Sequence, residues 1–310
     1  MIKIFIRKAF QVLNKLVKNG NWFNEKKFPD CRKFTEHSTF NLDVINLGST
    51  SGVYAFNYQG LDIKAANWAM SHNPLACDEA ILKNYVSFFK SEGTTVILSL
   101  CAFSSLSGSY NYFEDRYYTM LYPSTIPNFS KRKQNEVMAM YKRPLLYIPL
   151  YDMLKEIRSY LKKPFSKDEK ALTEEQMESN AQRWYNSWLK EFSVKDFSLP
   201  LSLVNQDGLE DAAMHLNNMI AICKEHNATP VLVLPPMYHT LAEKFTSSAR
   251  NILIGSLISR IDDKSVKFLN YMDDFAFSND RQFFKDSFFL NQRGAKLFTK
   301  RVLEDLSIVK

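Results

Sequence analysis

The sequence predicts an α/β protein, a three-layer α/β/α arrangement around a five-stranded, mostly parallel sheet, with an inserted helical subdomain. Three observations support this fold class. Short apolar runs typical of buried strands alternate with longer segments of helical apolar spacing. Between residues 103 and 200 this alternation stops, and a tyrosine-rich, charged sequence surrounds helical segments only. The 310 residues are 45% hydrophobic and 14% aromatic, which is enough apolar material to fill a large core.

The five strands are predicted from short runs rich in aliphatic and β-branched residues. The clearest run, residues 94–100, follows Gly93 and consists of β-branched and aliphatic residues with one serine, as expected of a parallel strand buried on both faces. Because helical segments separate most of the runs, the crossovers are expected to be right-handed and the sheet parallel. The other four strands are predicted at residues 43–47, 63–69, 230–234 and 266–271.

Six helices are predicted where apolar residues recur three or four positions apart. One of them opens with Thr173 and Gln176, the spacing of a capping box, and carries Trp184 and Trp188 on one side. A charged stretch at residues 162–170 is expected to be a solvated linker. The helices are predicted at residues 78–90, 146–161, 173–192, 209–225, 241–261 and 292–306.

These elements divide the chain into three parts. Residues 43–102 and 201–310 are expected to form the α/β domain, residues 103–200 the helical insertion, and residues 1–42 an amphipathic helix and lead-in. Within residues 1–18 apolar positions recur at helical spacing, and the lysines and arginines there face no acidic residue. Such a helix either lies on an anionic membrane surface or docks on the domain as an ordinary terminal helix.

Composition and spacing exclude several classes of protein. The net charge of +7 is moderate and mostly spread along the chain, so no nucleic-acid partner is expected. The four cysteines lack metal-type spacing, and neither a phosphate-binding glycine loop nor a His-Glu-x-x-His motif occurs, so no metal or cofactor is expected. The longest uncharged run near the start, residues 9–14, is too short for a membrane span or a signal-peptide core. Unpaired cysteines favour a cytoplasmic location, peripheral at the inner membrane face if the first helix binds lipid.

The segment Gly48-Ser49-Thr50-Ser51-Gly52 is the strongest local signal for a functional site. Glycines let backbone amides approach a ligand, while the hydroxyls of Ser49, Thr50 and Ser51 supply a nucleophile or hydrogen-bond donors. The same residues also suit a plain strand-to-helix turn with capping hydroxyls. In open parallel sheets, sites form beyond the carboxyl ends of strands. This segment is therefore expected to border a crevice together with residues 71–74, 103–105, 235–239 and 273–289.

Residues 286–299 resemble the last sequence block of the SGNH (GDSL-like) hydrolase superfamily. They read Asp-Ser-Phe-Phe-Leu-Asn-Gln-Arg-Gly-Ala-Lys-Leu-Phe-Thr, and in that family an Asp-x-x-His motif precedes a helix entry of Leu-Asn, two residues and Gly. The likeness is closest to divergent members found with surface-polysaccharide and teichoic-acid modification genes, which often read Leu-Gly-Ser-Ser in place of Gly-Asp-Ser. The resemblance covers residues 43–101 and 205–308.

The resemblance implies roles for individual positions. Thr50 takes the place of the family's nucleophilic serine, and Asp286 that of the triad aspartate. Phe289 stands where the family has its catalytic histidine. The oxyanion glycine of the second block falls near Asn73, and the third block is replaced by residues 101–105. The positions expected to contact a ligand are Gly48, Gly52, Asn73, Ser104, Ser105 and Phe289.

Whether the protein can be an active hydrolase depends on a replacement for the histidine that the family has at position 289. A threonine hydroxyl needs a neighbouring base to act as a nucleophile, and phenylalanine can neither accept a proton nor hydrogen-bond to Asp286. His72 and His239 both follow predicted strands on the crevice side, so either could be a relocated base. The other histidines, which are not expected to take part, are His37, His215 and His226.

Further side chains near the end of the chain leave alternatives open. Asp273, Asp274 and Asp280 could bind a cation or act as acid and base, or they could be capping residues in a solvated loop. The phenylalanines between residues 275 and 289 could form a hydrophobic lid, or an aromatic wall for a sugar or an acyl chain.

Two hypotheses follow from these residues and from the resemblance. The first is an O-acyl esterase or acyltransferase acting on a bacterial surface polysaccharide or its precursor, with Thr50 or Ser51 as nucleophile and a base relocated to His72 or His239. The second is a non-catalytic relative whose crevice binds a glycan or a partner protein, and whose former catalytic pocket is sealed by Phe289. The ligand expected overall is a glycan or an acylated small molecule. The inventory of residues favours the second hypothesis, because the general base is replaced.

Overall fold

The computed structural model describes residues 2–35, 39–108, 112–161 and 171–309; the predicted linker at residues 162–170 and His37 lie outside these ranges. Contacts divide the chain into two compact units. The helical unit comprises residues 1–38 and 113–170, and the sheet unit comprises residues 39–112 and 171–310. The N-terminal helix therefore shares a unit with the middle of the chain, and residues 171–200 belong with the sheet.

Regular secondary structure covers most of the described residues. The strands are β1 (Val44–Gly48), β2 (Ala65–Asn67), β3 (Thr95–Ser99), β4 (Thr229–Leu234) and β5 (Lys267–Asn270). The described α-helices are α1 (Ile2–Lys18), α2 (Arg32–Thr35), α3 (Thr50–Ala55), α4 (Leu75–Tyr85), α5 (Lys131–Lys142), α6 (Leu150–Leu161), α7 (Glu174–Glu191), α8 (Leu203–Glu225), α9 (His239–Ala242), α10 (Ser247–Arg250), α11 (Ser256–Ser259), α12 (Phe275–Ser278) and α13 (Gln292–Asp305). None of these helices combines the length and the apolar character that crossing a membrane requires.

The five strands form one parallel sheet with the order β2-β1-β3-β4-β5. This confirms the predicted α/β class, with a five-stranded sheet flanked by helices. The pairing of β1 with β3 runs from Val44 opposite Thr95 to Gly48 opposite Ser99. Because β2 lies on one side of β1 and β3 on the other, the strand order reverses between β1 and β3.

The core of the sheet unit lies on both faces of the central strands. On one face Val44, Ile97 and Val233 belong to a buried cluster with Phe298 of α13. Neighbouring residues along each strand, such as Leu98, point to the opposite face and are equally buried. Burial on both faces explains why these strands are nearly continuous apolar runs in the sequence.

The helical unit contains α1, α2, α5 and α6. Helix α1 packs against α6 and against the 3₁₀ turn Pro144–Leu146. The side chain of Asn14 donates to the carbonyl of Lys142 and accepts from the N–H of Leu145, each at 3.1 Å. These long-range hydrogen bonds explain why the N-terminal segment groups with residues 113–170.

Most predicted elements are present with shifted ends, and one prediction is wrong. The capping box of Thr173 and Gln176 is confirmed at the start of α7, whereas β2 is shorter than predicted. The single helix predicted at residues 241–261 is instead divided into α9, α10, the π-helical segment Asn251–Gly255 and α11. The division occurs because the Thr246 hydroxyl accepts from the N–H of Ala249 and so begins a new helix.

Candidate functional site

The candidate site lies at the carboxyl ends of β1 and β3 in the sheet unit. β1 ends at Gly48, and the chain turns through Ser49 into α3. β3 ends at Ser99, which is paired with Gly48. Since the strand order reverses between these two strands, this is the position at which open α/β sheets form ligand crevices.

The early glycine-hydroxyl segment and the late Asp-Phe segment meet at this position. The ring of Tyr54 on α3 lies 4.9 Å from the ring of Phe289. The Lys285 ammonium donates to the Tyr54 hydroxyl at 3.1 Å and also lies over its ring. Ser51 and Phe288 line one small cavity. Residues that are more than 230 positions apart in the chain thus share one site.

Two of the three predicted hydroxyls accept hydrogen bonds from the loop after β2. The N–H of Asn73 donates to Ser49 Oγ at 3.1 Å, and the N–H of His72 donates to Thr50 Oγ1 at 3.0 Å. His72 has a φ of 53°, in the left-handed region that favours glycine. The resemblance implies a glycine near this point, whose N–H would bind an oxyanion. Here the N–H groups of His72 and Asn73 instead donate to the hydroxyls of Thr50 and Ser49.

The third hydroxyl, that of Ser51, faces a small cavity. Ser51 is 8% exposed. The cavity measures about 10 Å³, which is room for one water molecule and far less than a substrate needs. Besides Ser51, it is lined by Ala55, Leu100, Cys101, Leu234, Pro235, Pro236, Met237, Phe288 and Leu290.

Asp78 is a site residue that the sequence analysis missed. Its Oδ1 accepts from the N–H of Gly48 at 3.1 Å and from the side-chain amide of Asn73 at 2.5 Å. The carboxyl is buried, and this burial raises its pKa to about 7, against the opposing effect of the two hydrogen bonds. The sequence pattern makes Asp78 the first residue of a helix, whereas α4 begins three residues earlier, at Leu75, and Asp78 lies within its first turn.

The carboxylate of Asp286 is occupied by its own loop. Its Oδ1 accepts from the N–H groups of Phe288 and Phe289, both at 2.9 Å. The neighbouring Ser287 donates its N–H and its hydroxyl to Oδ1 of Asn180, at 3.1 and 2.6 Å. Asp286 therefore shapes the turn that carries Phe289, in place of orienting an imidazole.

Phe289 belongs to an aromatic cluster, at the position where the resemblance implies a histidine. Besides Tyr54, its ring contacts Trp184 at 5.6 Å and Phe288 at 4.5 Å between centroids, and Phe288 in turn contacts Phe103. Phe289 is 8% exposed. Among the alternatives for the late phenylalanines, this packing favours a hydrophobic seal over an open aromatic wall.

The two candidate bases do not hydrogen-bond to the crevice hydroxyls. His239 lies between two carboxylates, with Nε2 3.3 Å from Glu174 and Nδ1 3.4 Å from Glu243. The side chain of His72 is exposed. Within the described residues, none of the hydroxyls of Ser49, Thr50 and Ser51 has an imidazole as its hydrogen-bond partner.

Gly48 and Gly52 are needed for close packing. Gly48 has a φ of 133°, and a Cβ there would lie 2.6 Å from the carbonyl oxygen of Ser99. A Cβ at Gly52 would lie 3.0 Å from the Cβ of Ala69 and 3.2 Å from that of Ser99. Backbone and side chains of the sheet unit already occupy the space in which these glycines were expected to admit a ligand.

Ser104, Ser105 and Asn73, the other residues predicted to contact a ligand, are buried. Ser104 Oγ accepts from the N–H of Cys101 at 2.9 Å and closes the turn after β3. Ser105 is fully buried, and its hydroxyl has no partner among the described residues. Asn73 is 6% exposed and is bound to Asp78. None of the three presents its side chain at the surface of the crevice.

The late carboxylates serve as caps and as one ion pair. Asp274 accepts from the N–H of Ala276, and Asp280 from that of Gln282, each at 2.9 Å. Asp273 pairs with the guanidinium of Arg250 at 2.5 Å. No group of three His, Cys, Asp or Glu side chains in the described ranges is arranged to hold a metal ion. The geometry favours the capping alternative for these residues.

The Leu-Asn-x-x-Gly helix entry has a packing explanation of its own. Asn291 Oδ1 accepts from the N–H of Gly294 at 2.9 Å and caps α13, while its amide donates to the carbonyl of Gln282 at 2.7 Å. A Cβ at Gly294 would lie 2.1 Å from the carbonyl oxygen of Phe283. This spacing therefore fixes α13 against the preceding loop, whatever the chemistry of the site.

No family model matches this sequence, and a search of curated proteins finds none that is similar. The function must therefore be inferred from the geometry of the site. That geometry consists of two half-exposed hydroxyls held by loop amides, a buried carboxyl beneath them, and an aromatic seal.

Proposed function

We propose that this protein is a non-catalytic relative of the SGNH hydrolases, whose crevice beside β1 and β3 binds a glycan or its acylated precursor. One observation carries the proposal. The ring of Phe289 packs on Tyr54 at the place where that family has its imidazole, while Asp286 is turned to the amides of its own loop. Among the described residues, no imidazole hydrogen-bonds to the hydroxyls of Ser49, Thr50 or Ser51, so the usual base for activating them is missing.

The loss of catalysis follows from the chemistry of hydroxyl nucleophiles. A serine or threonine hydroxyl attacks an ester only when a base within hydrogen-bond range removes its proton. Ser49 and Thr50 accept hydrogen bonds from amides, which stabilise the oxygen without removing the proton. In the Ser-His-Asp systems, loss of the base leaves only the small rate that binding and the oxyanion hole supply.

The class of ligand is proposed from the surface beside the seal. Tyr54, Ser49 and Thr50 are half-exposed, and Lys285 lies across the Tyr54 ring. An aromatic face, hydroxyls and a cation together suit the apolar face and the hydroxyl or acyl oxygens of a sugar. The more specific suggestion of a bacterial surface polysaccharide comes from the resemblance alone.

The catalytic half of the proposal is tested with an ester substrate and an activity probe. We expect no p-nitrophenyl acetate turnover above the protein-free rate, and no labelling by a fluorophosphonate. The Thr50→Ala, Ser51→Ala double variant should be indistinguishable from the parent. Turnover or labelling that disappears in the double variant would restore the enzyme hypothesis.

The binding half is tested by calorimetric titration with acetylated and deacetylated oligosaccharides of cell-surface type. Tyr54→Ala should weaken binding about tenfold or more, since a stacked aromatic ring contributes on the order of 1 kcal/mol beyond its buried area. The matched control is Phe275→Ala, because that side chain is 84% exposed in the same unit but lies outside the aromatic cluster. Equal losses in both variants would place the ligand elsewhere.

A second candidate function is acyl transfer through Ser51. One observation favours it: Ser51 is buried and lines a small cavity at the end of β1. Attack would require the cavity to open and a base to enter it. Ser51→Ala alone discriminates this candidate, because it removes the acyl acceptor while leaving Tyr54 in place.

A further inference from the structure

Helix α6 of the helical unit presents its apolar side chains to solvent. Leu150, Leu154, Ile157 and Tyr160 recur at helical spacing, and their exposed fractions range from 36% at Ile157 to 72% at Tyr160. An ordinary surface helix of a globular protein turns such a stripe inward, because burial of apolar surface is what holds the helix in place. In α6 the orientation is reversed.

The acidic side chains of α6 face the body of the unit. Glu156 is buried, and its Oε1 accepts from the N–H of Trp22 at 2.6 Å. A Cβ at Gly20 would displace this carboxylate, so Gly20 leaves the space that Glu156 fills. Asp152 pairs with Lys26 at 2.6 Å. The inward polar contacts fix the rotation of α6 and leave its apolar stripe outward.

Helix α1, which packs against α6, shows the same excess of exposed apolar surface. Ile6, Val12 and Leu13 are 60%, 67% and 45% exposed, whereas Val17 is buried and anchors the helix together with Asn14. The helix contains five lysines and arginines and no acidic residue. Its amphipathic stripe is therefore only partly used by the protein itself.

The exposed apolar side chains are concentrated in these two segments. Of the nineteen large apolar side chains exposed among the described residues, ten lie on α1, on α6 or on the turn before α6. Soluble monomers rarely gather exposed apolar groups in this way unless the surface binds something. The ten are Ile6, Val12, Leu13, Leu146, Tyr147, Leu150, Tyr151, Leu154, Ile157 and Tyr160.

We propose that the apolar faces of α1 and α6 form a docking surface for an anionic lipid bilayer. The proposal rests on the helical unit and is independent of the function proposed for the sheet unit. The helices would lie in the plane of the interface, with leucine and isoleucine side chains among the acyl chains and tyrosines at the level of the headgroups.

The charges beside the apolar faces of α1 and α6 favour an anionic bilayer over a second copy of the chain as the binding partner. The exposed charged side chains of the two helices include Lys8, Lys15, Lys155 and Arg158, whereas the α6 carboxylates are held inward. A second copy of the same face would bring like charges together. An anionic membrane surface is attracted by each lysine and arginine, and long basic side chains reach the headgroups while their stems stay apolar.

The test is flotation of the full chain with vesicles of phosphatidylcholine alone or with about 30% phosphatidylglycerol, since attraction grows with anionic lipid. Binding should be at least about tenfold stronger to the anionic vesicles and should weaken as salt rises from about 0.1 to about 0.5 M. The Leu150→Ser, Leu154→Ser, Ile157→Ser variant should lose about tenfold or more in affinity. Lys8→Glu, Lys15→Glu should lose a similar factor on anionic vesicles only.

The control is Phe275→Ser, which removes an aromatic side chain of the sheet unit that is more exposed, at 84%, than any of the three α6 residues; this variant should bind as the parent does. A second readout is Tyr160→Trp, whose added fluorescence should be quenched by brominated lipid. Failure of the parent to float with anionic vesicles would overturn the proposal, as would unchanged binding of the α6 variant. So would a parent dimer that the α6 variant converts to a monomer, which would assign the face to a second copy.

Discussion

Asp78 joins two segments of the crevice through a single oxygen atom. The N–H of Gly48 and the side-chain amide of Asn73 both donate to it, so the end of β1 and the loop after β2 are held in register. Because the carboxyl is 2% exposed, its negative form lacks the solvation it would have in water. Ionisation of Asp78 in the folded protein therefore lowers the free energy of unfolding, by an amount that depends on pH.

The first prediction concerns Asp78→Asn. Burial raises the pKa of Asp78 from 3.8 to about 7, so between these values the folded chain holds a proton that the unfolded chain releases. Stability therefore falls as pH rises through this window, by at most about 4 kcal/mol. The asparagine oxygen can keep both hydrogen bonds but cannot ionise. Its free energy of unfolding, relative to the parent, should rise between about pH 4 and pH 7 in urea titrations.

The comparison variant is Asp78→Ala, which leaves the N–H of Gly48 and the amide of Asn73 buried without an acceptor. Below about pH 4 it should be less stable than the parent by about 1–3 kcal/mol, and this deficit should shrink towards pH 7 because alanine cannot ionise either. The neighbouring Glu79 also titrates, but it is present in both variant and parent, so its effect on stability cancels in the difference. Burial acts to raise the pKa of Glu79, but hydrogen bonds from His215, Lys83 and Asn218 outweigh it and lower the pKa to about 2. The stability that Glu79 contributes is therefore lost only in acid. A pH-independent difference for Asp78→Asn would contradict the argument.

The second prediction concerns Phe289→His, which introduces the residue type that the resemblance to SGNH hydrolases implies at this position. The imidazole would replace a buried ring packed on Tyr54 and Trp184, so the free energy of unfolding should fall by about 1–3 kcal/mol. Ester turnover should stay at background, because Asp286 is engaged by the amides of its own loop. Turnover rising about tenfold or more would mean that the triad is only one substitution from activity.

At the scale of elements, the short helix α3 depends on its contact with the sheet. Gly52→Ala would press a Cβ against Ala69 and Ser99, and we expect a loss of about 1–3 kcal/mol in urea unfolding. The control is Gly255→Ala in the π-helical segment, where the nearest atom is the movable side chain of Asn251 and the change should be nearly neutral. Equal effects at both glycines would argue against close packing at α3.

The sequence predicted elements wherever burial is the dominant force. Strands β1, β3 and β4 were found because both of their faces are buried, and α7 because Thr173 and Gln176 cap it. The division of residues 241–261 could not be foreseen, because apolar spacing continues through it and only the Thr246 cap interrupts the helix. Asp78 escaped notice for a related reason: its partners are a backbone amide and a side chain that only the fold brings near.

At the scale of the whole molecule, the meeting of the chain's two distant motifs was predictable, but the use of their side chains was not. Strand order brings Ser51 and Phe288 to one cavity, since parallel strands all end on one side of the sheet. Which hydroxyl is bound by His72 and which by Asn73 depends on hydrogen bonds that leave no periodic pattern. The same holds for the grouping of the N-terminal segment with residues 113–170, which is supported by the hydrogen bonds of Asn14 to Lys142 and Leu145 and of Glu156 to Trp22.

The last prediction uses the cysteines to follow each unit separately. Cys31 lies in the helical unit, and Cys77 and Cys223 lie in the sheet unit; all three are buried thiols. Burial raises the pKa of Cys31 and of Cys223 to about 12, so neither forms much reactive thiolate at about pH 8.

The measurement is a series of iodoacetamide pulses at increasing urea concentration, read by peptide mass spectrometry. Cys31 and Cys223 should stay unlabelled in the native protein. Cys77 and Cys223 should become reactive together, because they report one cooperative unit. Labelling of Cys223 at a clearly lower urea concentration than Cys77 would show that the sheet unit does not unfold as one body.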